Sequence, residues 1–140
     1  MKAIPLKLAA PGQGFVQVSR EEATHLKIRM PGPTGEIALP VIIKGPRVGT
    51  GKWTWNGDVE KPTLKPSVLT QSGHYAPGLK PGDRCWCTYY KEHPEEKPVF
   101  HCYRCHSWVN DGVAQFLADC THELAGKSVP LLDFDGQSSP

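Results

Sequence analysis

All five cysteines of this 140-residue chain, and four of its six histidines, fall between residues 85 and 122. Any fold the chain adopts must bring those sulfurs to where they can be used or safely buried. The spacing is C-x-C (Cys85, Cys87), fourteen residues, C-x-x-C (Cys102, Cys105), fourteen residues, then Cys120. A tight turn at a C-x-x-C lets two thiolates reach one ion, and alternation along a strand puts both sulfurs of a C-x-C on one face. The expectation is a closed structural zinc site made by Cys85, Cys87, Cys102 and Cys105, with sulfurs at about 2.3 Å from the ion. Soft thiolates favour zinc over magnesium or calcium. Cys120, His106 and His122 are the alternates for one member of the first pair. Free buried cysteines are common in cores, but His101, Arg104 and His106 crowd the same turn. No thioredoxin-like βαβ pattern surrounds the C-x-x-C, so a redox role is disfavoured.

The rest of the chain needs such a staple. Fourteen prolines and fourteen glycines interrupt it repeatedly, which argues against long helices and long strands. The expected fold class is α+β: one domain over residues 1–140, mostly short antiparallel strands with one or two short helices, stabilised by a zinc knuckle. Within it, residues 1–72 read as a strand-rich half, 83–135 as the cysteine-rich half, and 136–140 as a tail. Residues 1–14 read as a loosely specified extended arm, and Phe15 to Val18 as a short strand. Ser19 and Glu22 have the form of a capping box, which predicts a helix running to about Leu26. Residues 36–43 (EIALPVII) read as an edge or bulged strand because of Pro40.

Trp53 and Trp55 alternate onto one strand face, followed by a tight turn at Asn56-Gly57. Their plainer reading is as core anchors; with Trp108 they are also the candidate interaction surface. Residues 61–69 (KPTLKPSVL) form a rigid extended segment whose prolines suit a surface or an edge. Residues 106–117 read as a hairpin turning at Asp111-Gly112. Asp119 to Ala125 read as one or two helical turns ending at Gly126, and residues 129–134 as a last extended piece.

The net charge is +2 and the basic residues are interleaved with acids, so no stripe indicates a nucleic-acid partner. No apolar run approaches the roughly 20 residues that span a bilayer. The first fourteen residues, broken by Pro5 and Lys7, make a poor signal peptide. The expectation is an intracellular protein, in a compartment where thiols stay reduced.

WTWNGD, KPTLKPS, CWCTYY, CHSWVNDG and FLADCTHELAG together resemble a family of small proteins from tailed bacteriophages and prophages, often labelled "ammonia monooxygenase" in genomes. The likeness covers roughly residues 53–134 and is most specific over 102–126. A membrane copper oxygenase needs spanning helices and histidine-rich copper sites, and the chain has neither. The resemblance implies a phage-type origin, hence a bacterial host cytoplasm as the compartment, and a zinc site, with no activity attached. The functional expectation is a protein-interaction module in an accessory or counter-defence role, with structural zinc, no catalytic residues and a host or phage protein as partner. One alternative is a zinc-dependent, hydrolase-like enzyme using His106, Asp119, His122 or Glu123. The other is a virion or assembly component, for which self-association would be expected.

Overall fold

A computed structural model describes residues 1–43, 52–76 and 85–134. The strands are β1 (Ala3–Leu8), β2 (Phe15–Gln17), β3 (His25–Met30), β4 (Gly35–Ile42), β5 (Trp53–Trp55), β6 (Leu64–Ser72), β7 (Tyr103–Asn110), β8 (Val113–Phe116) and β9 (Ser128–Pro130). The one α-helix among the described residues, α1 (Trp86–Glu92), lies between β6 and β7. All nine strands belong to one sheet in the order β2-β1-β3-β4-β5-β6-β7-β8-β9. Among the described residues only the β4/β5 pair is parallel.

The sheet curls back on itself. The segment after β9 returns to the opposite end, where Leu132 donates its N–H to the Arg29 carbonyl at 3.0 Å and Phe134 to that of Met1 at 2.8 Å. The inner faces therefore share one core, in which Leu26 and Ile28 of β3 pack with Trp55, Leu64, Val109 and Phe116. β3 shows the cause in its sequence: Leu26, Ile28 and Met30 alternate inward while His25, Lys27 and Arg29 face outward.

The fold is mostly β with a single short helix, which corrects the balanced α+β expectation. The capping-box pattern yields only a 3-10 turn, Arg20–Glu22, and β3 begins at His25. The apolar alternation of β3 has a core to fill, and that outweighs a local start signal. The first residues are not a loose arm: β1 buries Ala3 and Leu6 between β2 and β3. Residues 119–125 form turns rather than a helix. β6 lies inside the sheet despite its prolines, because Pro66 sits where the β6/β7 register breaks and no ladder N–H is required. The expected hairpin is present: Asp111 (φ 49) and Gly112 (φ 76) both take the positive φ of a type I′ turn between β7 and β8. The expected tail at 136–140 lies outside the described residues. No helix of the described residues is long and apolar enough to cross a membrane.

Candidate active site

β6 carries a bulge at the centre of the molecule. Leu64 pairs with Val109 and Val68 with Ser107, so four steps along β6 answer two along β7. Three residues, Lys65 to Ser67, therefore stand opposite the single Trp108, and a bulge of this kind re-aims side chains. The Ser67 hydroxyl lies 2.8 Å from Nε2 of His106, and the Trp53 indole N–H donates to the Ser67 carbonyl at 3.2 Å. On β7, Cys105, Ser107 and Val109 point into the core, so His106 faces outward between them with its side chain 24% exposed.

The other ring nitrogen of His106 has its own partner. After β8 the chain continues beside β7. Leu117 donates its N–H to the His106 carbonyl at 2.9 Å, and Thr121 to that of Arg104 at 3.0 Å. The Cys120 thiol bridges the same stretch, donating to the His106 carbonyl at 3.1 Å and accepting its N–H at 3.2 Å. This docking holds the Asp119 carboxylate against His106, with Oδ2 at 3.1 Å and Oδ1 at 3.3 Å from Nδ1.

Ser67, His106 and Asp119 thus form a continuous relay. With Nδ1 protonated toward the carboxylate, Nε2 presents its lone pair to the serine O–H, the arrangement that lets histidine act as a general base toward serine. The chain order is Ser, His, Asp, unlike the orders known from the chymotrypsin, subtilisin and α/β-hydrolase architectures. Leu69, which pairs with His106 across the ladder, and Trp108, two residues along β7, are both exposed.

The cysteines divide into two groups, each of which could hold a metal ion. His74, Cys85, Cys87 and Cys102 form one, and Cys105, Cys120 and His122 the other; within each group the ligand atoms lie within 4.8 Å of one another. Cys102 and Cys105 therefore do not share a site. Residues 103–110 are extended, so three residues separate the sulfurs by roughly 10 Å and direct them to opposite faces, and no knuckle turn forms. Cys85 and Cys87 meet as expected, but as the N-cap and first turn of α1 rather than on a strand. The Thr88 N–H and hydroxyl, with His74, bring the Cys85 thiol down to about 6. Cys102 and partial burial push Cys87 up to about 11. In the second group burial raises Cys105, and burial lowers His122, whose ring meets Phe116 edge-on at 5.0 Å.

His106, an alternate ligand in the sequence reading, has both ring nitrogens engaged by Ser67 and Asp119. His122 lies with Cys105, and Glu123 is exposed. Of the three tryptophans expected to form an interaction surface, Trp108 is exposed and Trp53 half-buried. Trp55 is wholly buried, its indole N–H donating to the Asp58 carbonyl, so it presents nothing to a partner. The sequence reading named His106 and Asp119 but missed Ser67 and His74. Ser67 sits in no G-x-S-x-G setting, and only the bulge between Leu64 and Val68, a property of pairing, marks it.

A serine–histidine–aspartate relay is the arrangement that serine hydrolases use. The chain belongs to the family described as bacterial ubiquitination-like system serine protease (BubE), whose model matches residues 4–117. The match includes Ser67 and His106 and stops two residues before Asp119. No curated protein and no solved structure matches the chain. Membership of a serine protease family overturns the expectation of a non-enzymatic, phage-type zinc-binding interaction module. It also replaces the phage-protein resemblance, along with its "ammonia monooxygenase" label, by a family of a bacterial ubiquitination-like system.

Proposed function

We propose that this protein is a serine protease in which Ser67 is the nucleophile, His106 the general base and Asp119 the residue that orients His106. The observation that carries this is the relay itself: 2.8 Å from Ser67 to His106, and 3.1 Å from His106 to Asp119. In acylation, Ser67 Oγ attacks the scissile carbonyl carbon while its proton passes to His106 Nε2. The resulting imidazolium is held by Asp119 and then protonates the leaving amine. Water, deprotonated by the same nitrogen, releases the acyl group and restores Ser67. The substrate we propose is an amide bond in a protein of the ubiquitination-like system that names the family. For the metal that the Cys/His groups could hold, we propose zinc, since thiolates with imidazole select it over harder cations.

The test is hydrolysis of a chromogenic ester by the full chain and by Ser67→Ala. Loss of about 10⁶-fold in kcat, with folding unchanged, is the expected result. Equal rates for the two proteins would remove Ser67 from the mechanism.

A further inference from the structure

We propose that His74, Cys85, Cys87 and Cys102 together hold one zinc ion, which pins α1 across the ends of β6 and β7 and takes no part in the chemistry at Ser67. This stands independently of the protease reading. The four ligand atoms already lie within 4.8 Å of one another although they come from three places in the chain. His74 follows the end of β6, Cys85 and Cys87 open α1, and Cys102 immediately precedes β7.

Two further observations converge on a ligand. Nδ1 of His74 is buried with no hydrogen-bond partner among the described residues. A buried imidazole nitrogen left unsatisfied is costly, and a metal bound at that nitrogen would satisfy it. Gly73 has the second feature: a Cβ placed there would overlap Cys102 Sγ, and its φ is +65. The absence of a side chain at that position lets the sulfur reach the cluster.

The helix supplies the structural need. α1 has seven residues and none of them is buried. Helices shorter than about 12–15 residues are marginal without packing. On its flank Trp86 donates to Ser72 Oγ at 3.2 Å and stacks on Phe100 at 4.7 Å, and the Tyr90 hydroxyl accepts the Val99 and Phe100 N–H groups, each at 3.1 Å. A metal bond from Cys85 and Cys87 to His74 and Cys102 would fix the helix where the core does not reach.

The donor set decides the role. One imidazole and three thiolates make a closed tetrahedral site, which leaves no position for an activated water. Ser72 and Tyr103 are the last pair of the β6/β7 ladder, whereas Ser67 and His106 stand further along it. The second group is worse prepared. His122 Nδ1 accepts the Leu124 N–H at 3.2 Å, which puts the neutral ring's proton on Nε2, the atom facing Cys105 Sγ at 3.3 Å. A protonated nitrogen has no lone pair for a metal.

The experiment is zinc content by native mass spectrometry of the full chain, with His74→Ala and Cys105→Ala in parallel. One zinc per wild-type chain, kept in Cys105→Ala and bound about a hundredfold or more weakly in His74→Ala, is the expected result. A folded wild type without zinc, or zinc lost from Cys105→Ala and kept in His74→Ala, would overturn the proposal. Should a variant fail to fold, cobalt(II) exchanged into the wild type decides instead. Tetrahedral cobalt–thiolate bands are expected, and a spectrum without thiolate charge transfer would refute the site.

Discussion

The two sites of this molecule are built in opposite ways. Ser67 and His106 stand on strands whose other face is core: Leu64, Val68, Cys105 and Val109 beneath them are all buried. Their geometry is a consequence of strand register, the β6 bulge and the docking of residues 117–121 on β7. α1, by contrast, buries no residue and is flanked by aromatic contacts and by thiols that could hold a metal ion. On the two proposals made above, cooperative packing places the nucleophile and its base, whereas coordination chemistry would place the helix. Each should therefore be separable from the other by a single substitution.

The largest expected effect is that of Ser67→Ala on turnover, which should leave zinc content untouched. Asp119→Asn comes next. An amide at that position no longer holds the histidine proton on Nδ1, and kcat should fall by between about 10² and 10⁴, with KM little changed. The carboxylate is 44% exposed, so solvent screens it and the lower part of that range is expected. A fall of less than about tenfold would show that Asp119 does not orient His106. The smallest effect on catalysis belongs to Gly73→Ala. Its new Cβ must displace Cys102 Sγ, so competition with a chromogenic chelator should show zinc held about 10–100-fold more weakly. Ester turnover should stay within a few-fold of wild type, since the β6/β7 ladder is intact. Turnover lost in step with zinc would mean that the two sites are one unit, and the comparison would fail.

What could be read from the sequence follows the same division. The Asp111-Gly112 hairpin was legible because two successive residues at positive φ have a local signature. That the thiols could hold a metal ion was legible because their spacing is local too. The ligand partition was not. Cys105 lies in an extended strand and faces the core, away from Cys102, while His74 is brought to the cluster by β6 pairing with β7. Ser67 was illegible for the same reason, since its exposure to His106 depends on a register shift measured against residues some forty positions away. His106 and Asp119 could be singled out as chemically able side chains, but their connection runs through the Cys120 and Leu117 hydrogen bonds to the His106 backbone. Pairing over long sequence separation is what an unaligned reading does not see.

The most direct test of the central claim is covalent labelling. The folded protein is treated with a fluorophosphonate, digested, and the modified peptide identified by mass spectrometry, with His106→Ala as the comparison. A single adduct on Ser67 in the wild type, and almost none in His106→Ala, is what a relay from Asp119 through His106 to Ser67 predicts. An adduct on another serine, or equal labelling of Ser67 with and without His106, would contradict it.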